Sequence, residues 1–191
     1  MEIKNRLNIT TRKEFRDWLM SNIGTETECW VEAKRGKTPP LDRLWYLDAV
    51  EEALCFGWID STYRKVDGIT LQRFGCRVKN SPWSELNKER CHRLIKLGLM
   101  TDTGRKVLPD LDKEMSVGNE ILSVLQADMQ TWENFCKFPL LYRRVRIDRI
   151  QNELRLKRPE GYKRMLTKLV EASRQGVMIG DWNDGGRLLD Y

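Results

Sequence analysis

The sequence predicts an α+β protein, with a small antiparallel sheet packed with helices and a C-terminal helical region after it. Three observations support this prediction. Asp67-Gly68 is a strong two-residue hairpin signal between two runs rich in β-branched and aromatic residues. On both sides of this hairpin, apolar residues recur at the spacing of one helix face. From about residue 121 to 176 the periodicity is helical throughout.

The N-terminal third predicts two helices and one strand. Thr11 and Glu14 have the spacing of a capping box, which predicts the start of a helix. A strand is predicted over residues 28–34, and a loop rich in glycine and proline over residues 35–40. A second helix is predicted over residues 42–56, because leucine and valine recur there on one helix face.

The hairpin is predicted over residues 58–78, with strands on either side of the Asp67-Gly68 turn. If the turn has two residues, Thr62 faces Arg73 and Asp60 faces Gly75. A helix over residues 82–97 follows, with Ser81 as its N-cap and Pro82 in its first position. One more short helix is predicted over residues 101–107.

The chain divides into three predicted parts. Residues 1–115 form the α+β domain, and residues 116–178 form a basic helical region that packs against it. Residues 139–175 hold 11 Lys and Arg against 4 Asp and Glu, so most of the net charge of +6 belongs to this region. Residues 179–191 are rich in glycine and aspartate, which predicts a flexible tail.

Composition excludes several classes of protein. With 40% apolar and 32% charged residues among 191, the chain is expected to fold as a soluble globular protein. It has no apolar run of about 18 residues, so no membrane span is expected. Its first residues are polar and show no signal peptide, so we expect the cytoplasm. Five cysteines without Cys-x-x-Cys spacing and a single histidine indicate no metal site, and no cofactor motif is present.

A polar cluster around the second hairpin strand predicts a pocket for an anion or a carboxylate. Side chains alternate along a strand, so Arg73, Gly75 and Arg77 share one face. Glycine leaves room for a ligand or another backbone, and arginine donates two parallel hydrogen bonds. The start of the following helix supplies free N–H groups. The predicted ligand-binding residues are Asp60, Arg73, Arg77, Trp83, Ser84 and Asn87.

Two alternatives to this binding site stay open. In the structural alternative, Asp60 pairs with the arginines and Ser81 only caps its helix; we favour this over a ligand site by a small margin. In the enzymatic alternative, Asp60 is the acid/base for a small anionic substrate. An aspartate beside arginines is a weak base at neutral pH, so the balance is against an enzyme, and no catalytic residue is assigned.

The basic helical region has an alternative function as a nucleic-acid surface. Its candidate residues would neutralise phosphates, with Tyr142 and Tyr162 available for stacking on bases. We favour a solvated face instead, because no DNA-binding motif is present. The candidate nucleic-acid residues are Arg143, Arg144, Arg146 and Arg149.

Several motifs resemble the YdeI/OmpD-associated family of bacterial proteins, also called bacteriocin-protection proteins. The resemblance runs from about Phe15 to Gly180. Cys76 stands where the family has proline before its second arginine, which puts the end of that strand in question. The residues that carry the resemblance are 53–61 (ALCFGWIDS), Arg73-Phe74, Arg77, Ser81, Trp83-Ser84, Asn87 and Arg90, with Gly98–Thr101, Gly104 and 138–147.

The resemblance implies a binding protein with a role in stress or antimicrobial-peptide resistance, and no established reaction. Together with the polar cluster, it gives the expected function: a non-enzymatic binding protein with an anion-accepting pocket. The expected partners are a small anionic ligand and a protein, and nucleic acid is the less favoured one.

Overall fold

The computed structural model describes residues 3–191, and its mixture of helices with one small sheet confirms the α+β class. The chain forms two compact units. The first runs up to Pro82 and includes Arg90–Leu111, and the second comprises Trp83–Glu89 and Asp112–Tyr191. The predicted boundary at residue 115 is close to the observed one, but the sequence did not predict that Trp83–Glu89 belongs to the second unit.

The sheet of the first unit has three long strands that pair antiparallel, as predicted. The strands are β1 Arg6–Leu7, β2 Glu28–Lys34, β3 Leu44–Trp45, β4 Trp58–Val66 and β5 Ile69–Cys76. Across the sheet they lie in the order β1-β2-β5-β4, and β3 also pairs with β2. The two-residue strands β1 and β3 run parallel to β2, so the complete sheet is mixed rather than wholly antiparallel as predicted.

The hairpin turn is the predicted one, and the register next to it is correct. Asp67 and Gly68 have φ angles of +50° and +82°, as a two-residue type I′ turn requires. Val66 pairs with Ile69, and the ladder continues without interruption to Tyr63.

A β-bulge in β4 then overturns the rest of the predicted register. Asp60 pairs with Phe74 instead of Gly75, because the ladder shifts between Asp60 and Tyr63. The predicted pair of Thr62 with Arg73 is absent from the register for the same reason. A shift of one residue moves a side chain to the other face of the sheet. The shift therefore changes which residues Asp60 can contact.

The helices of the first unit cover one face of the sheet. Helix α1 (Arg12–Asn22) begins with the predicted capping box. Helix α2 (Tyr46–Cys55) begins four residues later than predicted, because Leu44–Trp45 pairs with β2 instead. Phe15 of α1 packs against Phe74 of β5 with ring centroids 5.3 Å apart. The short helix α4 (Asp102–Arg105) falls within its predicted span.

Helix α3 (Glu85–Lys96) begins three residues later than predicted. Ser84 is its cap, because its Oγ accepts a hydrogen bond from the backbone N–H of Asn87 at 3.2 Å. Ser81 instead donates its N–H to Val78 in a turn. The prediction that Ser81 caps a helix starting at Pro82 is therefore wrong. Both serines have the chemistry of a cap, and only the second lies where the chain turns helical.

Four helices form the core of the second unit. They are α5 (Asn119–Gln126), α6 (Met129–Lys137), α7 (Leu140–Arg155) and α8 (Pro159–Arg174). The predicted flexible tail is wrong, because Trp182 belongs to this core and is only 7% exposed. Its ring packs edge-on against Tyr142 at 5.6 Å. Among residues 3–191, no helix is long and apolar enough to cross a membrane.

Candidate anion-binding site

The structure places Arg73 in an ion pair. Its Nε and Nη2 donate to Oε2 of Glu28 at 3.0 and 2.5 Å, and Nη1 donates to Ser61 Oγ at 3.3 Å. Arg73 lowers the pKa of Glu28, mainly through these hydrogen bonds. The space beside Gly75 is taken by backbone, since a Cβ there would lie 3.2 Å from the carbonyl oxygen of Thr27. This part of the predicted pocket is filled by the protein itself.

Asp60 lies on the other face of the sheet from Arg73. It pairs with Phe74 on the face that the helices cover, whereas Glu28 pairs with Gly75 on the face of Arg73. The partner of Asp60 is Tyr46, whose hydroxyl donates to Oδ2 at 2.5 Å. The prediction that Asp60 faces Gly75, on the face of Arg73, is therefore wrong, and the cause is the bulge in β4.

Arg77 has different surroundings from Arg73. Its Nη2 donates to the carbonyl oxygen of Pro82 at 2.7 Å. Burial lowers the pKa of Arg77, and its electrostatic interaction with Asp60 opposes this shift. Arg77 and Asp60 therefore interact electrostatically, whereas Arg73 is paired with Glu28.

The other three predicted residues, Trp83, Ser84 and Asn87, belong to the second unit. The predicted anion site at the start of their helix is already occupied by a carboxylate of the chain. Asp148 Oδ2 accepts from the backbone N–H of Glu85 at 3.2 Å, and Ser84 accepts from that of Asn87. The protein thus satisfies this helix start internally.

A cluster that the sequence did not predict surrounds Asp60 in the first unit. We call Arg35, Tyr46, Asp60 and Gln72 the Arg35 cluster. The guanidinium carbon of Arg35 lies 3.6 Å from the ring centroid of Tyr46, and its Nη2 donates to Gln72 Oε1 at 2.9 Å. The stacking and the hydrogen bond hold the Arg35 guanidinium in one orientation.

Gln72 connects the Arg35 cluster to the bulge. Its side chain is only 3% exposed, and Nε2 donates to the carbonyl oxygens of Ser61 and Thr62 at 3.2 and 3.1 Å. These are the backbone carbonyls that the bulge takes out of the regular ladder. One buried amide therefore stabilises the bulge with its nitrogen and orients Arg35 with its oxygen.

A cavity of about 480 Å³ opens beside this cluster. Three cations and one carboxylate line it, together with small and apolar side chains. All three cations are exposed to solvent, and Arg43 is paired with Glu32 at 2.7 Å. A second cavity of about 530 Å³ shares Glu32, Arg43 and Ile69 with it. The polar residues that line the first cavity are Glu32, Lys34, Arg35, Arg43, Thr70 and Gln72.

Tyr46 and Asp60 form a hydrogen-bonded pair in which the tyrosine hydroxyl is the donor. Burial raises the pKa of Tyr46 to about 12, and the charge and hydrogen bond of Asp60 add to the shift. The hydroxyl is therefore protonated at neutral pH and acts as a donor. This donation occupies one oxygen of Asp60 and orients its carboxylate. No group of three metal-ligating side chains lies within residues 3–191.

In the second unit, the structure uses two of the four candidate nucleic-acid residues internally. Arg144 donates from Nε to Glu85 at 2.7 Å, and Arg146 is 8% exposed and donates to the carbonyl oxygens of residues 179 and 180. Arg143 and Arg149 are partly exposed. The predicted stacking residues Tyr142 and Tyr162 are 0% and 5% exposed. Most of the exposed cations of this unit are at the end of α7, in the turn after it and on α8.

Sequence reasoning missed the residues beside the cavity for identifiable reasons. Lys34 and Arg35 fall where a strand becomes a loop, and charged residues are common there. Tyr46 looked like one more helix residue in the predicted span 42–56. Gln72 alternates with Leu71 and Arg73, so its burial depends on the helices that cover its face. The only available signal was a glutamine inside an otherwise well-patterned strand.

Comparison with known proteins identifies a family but not an activity. No curated protein and no solved structure matches the chain. Residues 7–107 match the family described as a domain of unknown function, DUF8412. The match takes in more than half of the 191 residues, including the whole Arg35 cluster and the four strands from β2 onward. The chain therefore belongs to the DUF8412 family.

Proposed function

We propose that the protein is a non-enzymatic binding protein that takes up a small anion in the cavity beside the Arg35 cluster. The observation that carries this proposal is the lining of that cavity, where Lys34, Arg35 and Arg43 stand against the single carboxylate of Glu32. A carboxylate or phosphate group entering there meets two cations, Lys34 and Arg35, that are exposed to solvent.

The fixed orientation of the Arg35 guanidinium favours anion binding. A flexible arginine loses conformational freedom when it grips a ligand, and this loss weakens affinity. Tyr46 and Gln72 already restrict the Arg35 guanidinium, so this cost is reduced before any ligand arrives. Gln72 uses one N–H of a group that carries five, which leaves donors for an anion. The proposal thus keeps the anion-binding function expected from the sequence and moves its site from Arg73 to Arg35.

Asp60 as an acid/base remains the enzymatic alternative. The 2.5 Å hydrogen bond from Tyr46 supports a positioning role for Asp60, because the carboxylate keeps its partner ring beneath Arg35. Nucleic-acid binding is the other alternative. The contacts of Arg144 and Arg146 within their own unit disfavour it, since they leave fewer cations for phosphates.

The resemblance to the YdeI/OmpD-associated family extends the proposal to a role in stress or antimicrobial-peptide resistance. All five cysteines are free thiols, and three of them are buried, which supports a reducing compartment such as the cytoplasm. In this proposal the protein acts there by holding its ligand. Cells lacking the protein would be more sensitive to cationic peptides, and a Lys34→Gln variant would not restore resistance.

The test is a thermal-shift titration of the full chain with inorganic phosphate, citrate, small carboxylates, nucleotides and a short oligonucleotide. At about 100 times its dissociation constant, a ligand stabilises the fold by roughly 2.7 kcal/mol. For a chain of this size that raises the melting temperature by roughly 5–10 °C. We expect a small anion to produce this shift. Lys34→Gln and Arg35→Gln should reduce it strongly.

Two controls make the result specific. Arg6→Gln removes an exposed cation that lines only the neighbouring cavity, and it should leave the shift unchanged. Arg73→Ala tests the site predicted from the sequence. If Arg73→Ala abolishes the shift and Lys34→Gln does not, the cavity is the wrong site. If no small anion shifts the melting temperature of the wild-type protein, the proposal fails.

A further inference from the structure

The turn between α7 and α8 concentrates positive charge on the surface of the second unit. Residues 155–168 hold six Lys and Arg and a single acid, Glu160, and all seven of these side chains are exposed. The net charge of this segment is close to that of the entire chain. We call this segment, together with Leu154, the basic turn. Its cations are Arg155, Lys157, Arg158, Lys163, Arg164 and Lys168.

The cations on α8 lie on one side of the helix, away from the core. At 100° per residue, Lys163, Arg164 and Lys168 fall within an arc of about 140°. Leu166 and Leu169 lie on the other side and are 6% and 0% exposed. Few carboxylates pair with these cations. Arg155 contacts Asp148 at 2.8 Å, and Lys163 approaches Glu160 at 3.8 Å.

Two leucines accompany the cations at the tip of the turn. Leu154 and Leu156 are 49% and 48% exposed, although leucine side chains are usually buried. The two tyrosines predicted to stack on nucleic-acid bases, Tyr142 and Tyr162, are buried. Exposed aliphatic side chains beside a cluster of cations are typical of surfaces that bind at the boundary of a lipid bilayer.

The backbone at the tip shows that a lysine stands where glycine is the usual residue. Helix α7 ends in a Schellman motif, in which the N–H of Arg158 donates to the carbonyl of Glu153 at 2.8 Å and the N–H of Lys157 to that of Leu154 at 2.9 Å. Lys157 has a φ of +56°, in the left-handed region that disfavours side chains. A glycine would form the same turn with less strain. A lysine at this position costs stability and adds an exposed cation to the turn.

We propose that the basic turn binds the anionic surface of a lipid bilayer. The cations meet the charged headgroups, and Leu154 and Leu156 enter the boundary between headgroups and acyl chains. The contact is peripheral and reversible, because only the two side chains at the tip reach the apolar layer.

The experiment measures binding of the full chain to phosphatidylcholine vesicles with and without phosphatidylglycerol. We expect binding only to the anionic vesicles, and weaker binding at high salt. A variant with Lys157→Gln, Arg158→Gln and Arg164→Gln loses three cations, each worth about fivefold in affinity, so it should bind about 100-fold more weakly. A matched control with Arg105→Gln, Lys106→Gln and Lys137→Gln removes the same charge from exposed positions elsewhere and should bind like wild type.

Two further variants separate membrane binding from stability. Leu154→Ser with Leu156→Ser should weaken binding by about tenfold or more. The melting temperature should fall by only roughly 3–12 °C, because both side chains are already half exposed, so the variant stays folded in the binding assay. Lys157→Gly should raise the melting temperature and lower vesicle affinity about fivefold. Opposite changes in these two readouts are expected only if the lysine serves binding.

Three results would overturn the proposal. The first is equal binding to neutral and anionic vesicles, and the second is an equal loss of binding in the matched control. The third is binding to an RNA oligonucleotide that the triple variant abolishes, with no binding to vesicles, which would assign the basic turn to nucleic acid. Small-anion binding at Lys34 and Arg35 is measured on other residues, so its success or failure leaves this result unaffected.

Discussion

Replacing Gly104 with alanine tests how closely helix α4 packs against the end of α2. A Cβ atom at position 104 would lie 2.2 Å from the carbonyl oxygen of Cys55 and 2.7 Å from the sulfur of Met100, whereas ordinary contact begins at 3.4 Å. The same carbonyl accepts hydrogen bonds from Thr101, through Oγ1 at 2.5 Å and the backbone N–H at 3.2 Å. The alanine would therefore push against backbone that is already held from another direction.

The expected loss of stability follows from these contacts. Overpacking a dense site costs about 1–3 kcal/mol, and each of the two hydrogen bonds contributes roughly 0.5–1.5 kcal/mol. Because an opening of about 1 Å both strains the packing and weakens the bonds, we expect Gly104→Ala to cost about 3–5 kcal/mol. In a chain of this size, that lowers the melting temperature by roughly 6–20 °C.

Urea and thermal denaturation of the full chain measure this loss, and two other glycines calibrate it. Gly36→Ala places its Cβ 3.7 Å from the nearest atom, so it should change stability little. Gly98 has a φ of +69° and open space around it, so its alanine variant costs only the left-handed backbone, about 1 kcal/mol. If Gly104→Ala melts within a degree or two of Gly36→Ala, the close approach of α4 to Cys55 is refuted.

Two predictions concern buried carboxylates. Glu52 is 1% exposed and forms ion pairs with Arg12 and Arg16 at 2.6 and 2.7 Å. Glu52→Ala removes the buried carboxylate that pairs with both arginines, so urea denaturation should show a loss of about 3–5 kcal/mol in the free energy of unfolding. An effect under about 1 kcal/mol would contradict this network of ion pairs. Burial of Glu85 opposes its ionisation, but Lys88 and Arg144 outweigh this and lower its pKa below the ordinary 4.5. The stabilisation from ionised Glu85 is therefore complete above pH 4.5 and is lost as pH falls through the lower folded-state pKa. Glu85→Gln should make the free energy of unfolding fall less steeply between pH 4.5 and lower pH, as measured by urea denaturation. An unchanged slope would contradict this prediction.

The sequence predicted best where one local signal dominates the energetics. The Asp67-Gly68 turn needs a positive φ at both positions, and Asp-Gly is one of the few sequences that adopt these angles readily. The end of β4 and the start of β5 were therefore predicted correctly. The capping box of α1 is equally local, since Thr11 and Glu14 bond to each other's backbone N–H groups. Such signals are decided within a few residues and do not depend on the rest of the fold.

Predictions failed where a distant residue decides between local alternatives. The bulge in β4 depends on Gln72, which satisfies two carbonyls that a regular ladder would have used. Ser61 and Thr62 are exposed, so no apolar alternation pinned the register of this strand. The prediction of a flexible tail was wrong for a similar reason, because Trp182 is buried against the ring of Tyr142, 40 residues earlier in the chain. The glycine-rich composition around Trp182 indicates a flexible backbone but gives no information about this distant contact.

The family-like block ALCFGWID shows why recognising a motif did not reveal the candidate site. Its apolar residues from Ala53 to Trp58 are at most 4% exposed, so the block builds the end of α2 and the start of β4. Its one acidic residue, Asp60, contacts Tyr46 in place of a pair of arginines. The cations beside the cavity, Lys34 and Arg35, lie at the end of β2 and in the loop after it, where substitution does not disturb the core. Members that share the block but differ at these two positions should therefore keep this fold and bind different ligands.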